Sequence, residues 1–130
     1  MSSLKTEQYQ LHQWEPGDSV LREEFNENFA KLDVSTRLFF GSYTGDGAAE
    51  RLISLPITPK AVLLFTREGR ANIQYGNRRL TFGGLVLPGL PLYGDNTDYI
   101  AMEVSENGFV VHNHDNYTYH CNEKSVVFYY

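Results

Sequence analysis

Residues 99–112 decide the fold, and they read Tyr99-Ile100-Ala101-Met102-Glu103-Val104-Ser105-Glu106-Asn107-Gly108-Phe109-Val110-Val111-His112. Two stretches of apolar, strand-forming residues flank a polar turn. Asn-Gly is among the strongest short signals of a β-hairpin, because both residues tolerate the left-handed backbone that tight turns need. The segment therefore predicts two adjacent antiparallel strands.

Short stretches of the same kind recur through most of the chain. Further strands are predicted over residues 39–44, 50–55, 61–65, 72–75, 80–82, 117–121 and 125–130. Gly45-Asp46-Gly47 is predicted to form a tight hairpin turn. Residues 83–94 are predicted to form an ordered loop with an apolar underside, in which the leucines of residues 85–92 are expected to be exposed. Many short strands separated by turns are typical of an antiparallel β-sandwich.

The N-terminal quarter instead has the pattern of an amphipathic helix over about residues 19–33. Its apolar residues are spaced four, four and three apart and form one stripe: Leu21, Phe25, Phe29 and Leu32. Asp18 or Ser19 is predicted to cap the first turn, and continuation through Thr36 would add Phe39 to the stripe. A helix this short is marginal alone. The stripe therefore docks either on the β-domain of its own chain or on copies of itself.

Composition excludes several classes of protein. The formal net charge of −5 argues against a nucleic-acid partner, and one cysteine excludes a disulfide framework. No apolar stretch approaches the roughly 20 residues of a membrane-spanning helix, so no membrane insertion is expected. Aromatic residues make up 14 % of the chain. This excess fits either a β-rich core with tyrosine at its edges or a surface that stacks on sugars.

Two sets of motifs resemble a known family. The stretches Trp14-Glu15-Pro16-Gly17-Asp18, Phe25-Asn26-Glu27-Asn28-Phe29 and Leu32-Asp33 resemble a motif near the start of tail-fibre and baseplate-associated proteins of Firmicutes phages and prophages. Several later segments are similar to the C-terminal β-domains of that family: residues 41–47, 53–55, 58–62, 107–111 and 127–130.

The resemblance implies a virion structural protein at the phage tail, made in the bacterial cytoplasm and usually a homotrimer. Residues 1–38 would then serve attachment and trimerisation, with Leu21, Phe25, Phe29 and Leu32 at the oligomer interface. Residues 39–130 would form the β-sandwich that faces the host. Other tail or baseplate proteins and a bacterial surface polysaccharide are the expected partners.

His112-Asn113-His114 is the best candidate metal site. Residues two apart in a strand point to the same face, so the two imidazoles would project together. Three copies around an axis would offer six nitrogens, which suits an octahedral first-row metal. The alternative is a polar strand end with two exposed histidines. No other cofactor is expected.

For function, we expect a non-enzymatic glycan-binding protein, and four tyrosines are the candidates for stacking on sugars: Tyr93, Tyr99, Tyr117 and Tyr119. The alternative for these residues is packing at strand edges or between protomers. A purely structural baseplate protein, with an interface at residues 85–92, is the second hypothesis. A small glycan-cleaving enzyme is the third, with Asp115 and Glu123 as its candidate carboxylate pair.

Overall fold

The computed structural model describes residues 1–35, 37–95 and 98–130, without the side chains of residues 34 and 35. The chain forms two compact units, Met1–Phe39 and Phe40–Tyr130. We call them the N-terminal unit and the β-unit. The architecture is mainly β with one helix, and the strands pair antiparallel, which confirms the predicted fold class.

The N-terminal unit contains a two-stranded ribbon and the helix. Strands β1 (Leu4–Lys5) and β2 (His12–Gln13) pair antiparallel, and the helix α1 covers Arg22–Ser35. The predicted helix is therefore present but begins later than expected. Continuation through Thr36 lies outside the described residues.

The predicted helix cap is wrong, because Asp18 serves the preceding turn. Its carboxylate accepts hydrogen bonds from the backbone N–H groups of Ser3 (3.0 Å) and Glu15 (2.9 Å). The hydrogen bonds from Glu15 and Ser3 lower the pKa of Asp18. Asp18 thus ties the turn to the start of the chain, and the helix begins only at Arg22.

The described residues of the β-unit form ten strands: β3 (Ser42–Thr44), β4 (Glu50–Ser54), β5 (Val62–Thr66), β6 (Asn72–Tyr75), β7 (Arg78–Thr81), β8 (Gly84–Val86), β9 (Leu92–Tyr93), β10 (Ile100–Ser105), β11 (Gly108–His112) and β12 (Val127–Tyr129). Two sheets have four strands each, in the orders β4-β11-β10-β9 and β3-β12-β5-β8. Strands β6 and β7 form a separate hairpin. Inward side chains of both larger sheets form one core, as in a sandwich.

The hairpin predicted around Asn107 is confirmed. Ser105 pairs with Gly108, so Glu106 and Asn107 form the loop, and Asn107 has a positive φ of 56°. A Cβ atom on Gly108 would lie 2.1 Å from the carbonyl oxygen of Ile53 on the neighbouring strand β4. Glycine is therefore required where β4 and β11 approach each other.

The hairpin predicted at Gly45-Asp46-Gly47 is wrong, because β3 and β4 belong to different sheets. The loop instead packs on a distant segment: the Gly45 amide donates to Val126 (2.8 Å) and the Gly47 amide to Asn122 (2.9 Å). The fully buried Asn122 side chain also donates to the carbonyl of Ala48 at 3.1 Å. These contacts make the glycine-rich loop a crossover between sheets.

The loop predicted over residues 83–94 contains two strands. Strand β8 pairs with β5 at one sheet edge, and β9 pairs with β10 at an edge of the other sheet. The predicted exposure of its leucines is correct for Leu85, Leu87 and Leu90.

In the part of the chain that the structure describes, no helix has the length and apolar character needed to cross a bilayer.

Candidate functional site

A fold-back of the chain after β11 builds the main surface feature of the β-unit. Asn113 and His120 form an antiparallel bridge, and the backbone N–H of His114 donates to the carbonyl of Tyr119 at 3.1 Å. The strand predicted over residues 117–121 is thus reduced to isolated bridges, one of them between Tyr119 and Thr81. The reason is that residues 114–117 turn tightly, with the Tyr117 N–H donating to the His114 carbonyl.

Four aromatic rings meet at this fold-back, and we call Tyr99, Tyr117, Tyr119 and His114 the tyrosine cluster. The Tyr99 and Tyr117 rings are stacked with their centroids 4.6 Å apart, and Tyr119 lies 5.8 Å from Tyr99. The planes of Tyr117 and Tyr119 differ by only 8°. The His114 ring lies 4.3 Å from Tyr117. Three of the four predicted sugar-stacking tyrosines therefore lie together.

The fourth predicted tyrosine lies outside this cluster. Tyr93 is on β9, opposite Ile100 of β10, and its side chain is partly exposed. Among the described residues, the ring contacts of the cluster do not include Tyr93. The β9–β10 register explains this difference, because it pairs Tyr93 with Ile100, the residue after Tyr99. Neighbouring positions along a strand face opposite sides of the sheet.

Thr118 fixes the cluster to the loop that carries Tyr99. This buried side chain accepts a hydrogen bond from the backbone N–H of Asp95 at 2.8 Å. The Gly94 N–H donates to the Tyr99 carbonyl at 3.0 Å, and a Cβ atom on Gly94 would lie only 3.0 Å from Thr118 Oγ1. The backbone on both sides of the cluster is therefore held in place, which limits the ordering that ligand binding would require.

Two phenols of the cluster, Tyr99 and Tyr119, have pKa values raised above the ordinary value. The side-chain hydrogen bond and the charge of Tyr117 raise the pKa of Tyr99, and burial adds to the rise. Burial also raises the pKa of Tyr119. Tyr99 and Tyr119 thus offer aromatic faces and uncharged hydroxyl groups, a combination suited to sugar rings with their apolar C–H faces and polar rims.

The two predicted metal ligands have separate partners in the structure. His112 Nε2 lies 3.7 Å from Glu103 Oε1, whereas His114 Nδ1 accepts a hydrogen bond from the Asn116 N–H at 3.3 Å. In the described residues of this single chain, no group of three or more His, Cys, Asp or Glu side chains could hold a metal ion. A site shared between copies stays a prediction.

His120 has a structural role that the sequence did not reveal. Its buried ring stacks on Phe82 at 5.4 Å, and Nε2 lies 3.0 Å from the carbonyl oxygen of Tyr117, to which it donates. Nδ1 lies 3.5 Å from Glu123 Oε2. His120 thus supports the turn that presents Tyr117.

Of the predicted carboxylate pair, Glu123 faces this histidine, and Asp115 accepts a hydrogen bond from Asn113.

A second polar cluster, also not predicted, lies in the N-terminal unit around the buried Glu24. Its carboxylate accepts hydrogen bonds from the Ser2 backbone N–H (2.9 and 3.0 Å) and from Trp14 Nε1 (3.0 Å). His12 Nδ1 lies 3.5 Å from Glu24 Oε1 and forms a hydrogen bond with the Ser2 hydroxyl at 2.6 Å. Burial raises the pKa of Glu24, but these hydrogen bonds and nearby positive charges hold it below its ordinary value.

Several residues of the N-terminal motif thereby have defined structural contacts. Trp14 binds Glu24, Asp18 holds the turn, and Asn28 is paired with the backbone of β2. The Asn28 side chain accepts from the His12 N–H at 2.6 Å and donates to the His12 carbonyl at 2.9 Å. The motif fastens the ribbon to one side of the helix.

The apolar stripe of the helix lies on the remaining surface of this unit. Leu21, Phe25 and Phe29 are exposed, and Leu32 is half-buried. The rings of Phe25 and Phe29 contact each other with centroids 5.0 Å apart. Three of the four predicted interface side chains are therefore accessible.

The fold and these sites define a two-unit, mainly β protein with an aromatic surface cluster on its β-unit. Comparison with known proteins adds no relative: no family model matches the chain, and neither a curated protein nor a solved structure matches it.

Proposed function

We propose that the protein is a non-enzymatic component of a phage tail tip or fibre that binds a bacterial surface glycan as a homotrimer. The tyrosine cluster is the observation that carries the binding proposal. Its rings are partly exposed, near-parallel and held by backbone hydrogen bonds on both sides. Such a preformed aromatic surface suits sugar rings, whose C–H faces pack on aromatic rings while their hydroxyl groups bind polar atoms.

The tail assignment is supported by the N-terminal motif, from Trp14 to Asp33, and its resemblance to the family of phage tail proteins. The homotrimer is supported by the exposed stripe of Leu21, Phe25 and Phe29. A short helix gains stability from burying such a stripe against a neighbour. Under this proposal the protein acts in the virion, where several copies would bind a repetitive polysaccharide together.

Binding to wall polysaccharide purified from Firmicutes strains tests the glycan proposal. We expect Tyr117→Ala to weaken binding by roughly tenfold, since it removes a stacking ring, whereas Tyr117→Phe keeps the ring and most of the affinity. Tyr75→Ala is the matched control, because Tyr75 is exposed on the separate β6–β7 hairpin. Absence of binding to any wall polysaccharide, or equal losses for Tyr117→Ala and Tyr75→Ala, would contradict the proposal.

A second candidate function is a structural baseplate protein that binds only other virion proteins. The exposed side chains of Leu85, Leu87 and Leu90 favour it, because apolar surface of this kind marks protein interfaces. The two functions differ in one measurement. A structural protein would co-purify with tail proteins and leave wall polysaccharide unbound.

A further inference from the structure

The tyrosine cluster lies among negative charges. Its rings come from two stretches of chain, residues 94–99 and 113–120, which together hold three aspartates and no lysine or arginine. The three side chains, those of Asp95, Asp98 and Asp115, are all exposed. The segments that build the aromatic surface therefore also give it a negative charge.

Each of the two segments brings one of these carboxylates close to the rings. Asp98 directly precedes Tyr99. The hydrogen bond and the charge of Tyr117 raise the pKa of Tyr99, burial adds to the rise, and so does the negative charge of Asp98, which places that carboxylate near the phenol. Asp115 is exposed in the tight turn of residues 114–117, which presents the Tyr117 ring.

Arginine side chains offset only part of this charge. Arg79 reaches the first segment, where its Nη2 donates to the Gly94 carbonyl at 3.4 Å. The neighbouring Arg78 points to the other side of the β6–β7 hairpin, because adjacent positions of a strand alternate between its two sides. One guanidinium therefore stands against three carboxylates at the cluster.

Other ionisable groups near the cluster do not reverse this balance. His114 Nδ1 accepts a hydrogen bond from the Asn116 N–H at 3.3 Å, so that nitrogen carries no proton. The next charged residues after the second segment, Glu123 and Lys124, have opposite charges. The aromatic surface thus has an excess of negative charge.

We propose that the glycan bound at the tyrosine cluster is a neutral polysaccharide, without phosphate or carboxylate groups, and that the anionic polymers of the bacterial wall are excluded. The inference rests on the proposed glycan-binding function and names the class of its ligand. Aromatic faces bind uncharged sugar rings through apolar contact. An anionic chain would bring like charges together at the aspartates, and such repulsion rejects a wrong partner.

Two fractions of the wall glycans of one Firmicutes strain test the proposal. Anion exchange separates the neutral polysaccharide from the anionic polymers, and calorimetry measures the binding of each fraction to the full chain. We expect the neutral fraction to bind roughly tenfold more tightly than the anionic fraction at low ionic strength. Added salt should leave the affinity for the neutral fraction unchanged, because no charge pair is formed with it.

Replacing the aspartates by asparagine tests the cause of this selectivity. Asp98→Asn and Asp115→Asn should each raise the affinity for the anionic fraction, relative to the neutral one, by roughly threefold at low ionic strength. The amide at position 115 keeps an oxygen that accepts the hydrogen bond from Asn113. Glu106→Gln is the matched control, since Glu106 is an exposed carboxylate in the β10–β11 loop, and it should leave the ratio unchanged.

The outcomes separate this inference from the function on which it rests. Equal or tighter binding of the anionic fraction, or a ratio that Asp98→Asn and Asp115→Asn leave unchanged, would overturn the inference while glycan binding stands. Binding of neither fraction would contradict the glycan-binding function itself, and the inference with it.

Discussion

At the scale of single residues, Cys121 shows how burial controls chemistry in the β-unit. The thiol is fully buried, and burial raises its pKa to about 12. The neighbouring backbone is fixed as well, since the hydroxyl of Tyr43 donates to the Cys121 carbonyl and the Tyr43 ring stacks on Phe128 at 5.0 Å. The thiol is therefore protonated and inaccessible in the folded protein.

We predict that Cys121 does not react with a chromogenic disulfide reagent at pH 8 in the native state. In guanidinium the same reagent should titrate one thiol per chain, because the chain has one cysteine. Stoichiometric reaction of the native protein within minutes would show that the β-unit core opens readily.

At the scale of elements, Glu24 links the helix to the N-terminal ribbon. Its pKa is lowered in the folded state, and that of Glu27 falls to about 2 through hydrogen bonds with Lys31 and His12. A lowered carboxylate pKa contributes stability that is present above the ordinary value near 4.5 and is lost as the pH falls toward the folded value. Acid should therefore destabilise the N-terminal unit between about pH 4.5 and 2.

We predict that Glu24→Gln lowers the melting temperature of the N-terminal unit by several degrees at pH 7 and weakens its dependence on acid. Fluorescence of Trp14, the only tryptophan, reports this unit selectively. The control is Glu23→Gln, since Glu23 is an exposed carboxylate in the same first turn. Equal melting temperatures for the two variants would contradict a special role for Glu24.

Sequence patterns predicted those elements whose signals are local. The β10–β11 hairpin depends on Asn107 and Gly108 themselves, and the helix depends on its own spacing of apolar residues. The loop at Gly45 was wrongly predicted because its partners, Asn122 and Val126, lie more than seventy residues further along the chain. No local pattern encodes such a contact.

The candidate site likewise combines a feature that local spacing predicts with contacts between residues distant in the sequence. Tyr117 and Tyr119 are two apart, so their shared side of the chain could be predicted from spacing alone. The position of Tyr99 next to these two tyrosines could not be predicted in this way, since it depends on the Asp95–Thr118 hydrogen bond across the fold-back. Nothing in the sequence indicated that Glu24 differs from other acidic residues in a first helical turn, because its partners Ser2 and Trp14 contact its carboxylate only in the folded unit.

At the scale of the whole molecule, the exposed helix stripe predicts the effect of one substitution. Phe25→Asp should dissociate the oligomer, because it places a charge among the apolar side chains at the proposed interface. Arg22→Asp is a suitable control, since Arg22 is exposed at the start of the helix and lies outside the stripe. A Phe25→Asp variant that stays trimeric would exclude the stripe as the interface.

The absolute mass of the wild-type chain in solution, measured by light scattering, tests the account most directly. We predict three times the chain mass of 14.9 kDa. Repeating the measurement with a chelator tests the histidine pair: dissociation would make His112 and His114 ligands of a shared metal, and an unchanged mass would exclude that role. A mass of one chain at all concentrations would contradict the homotrimer.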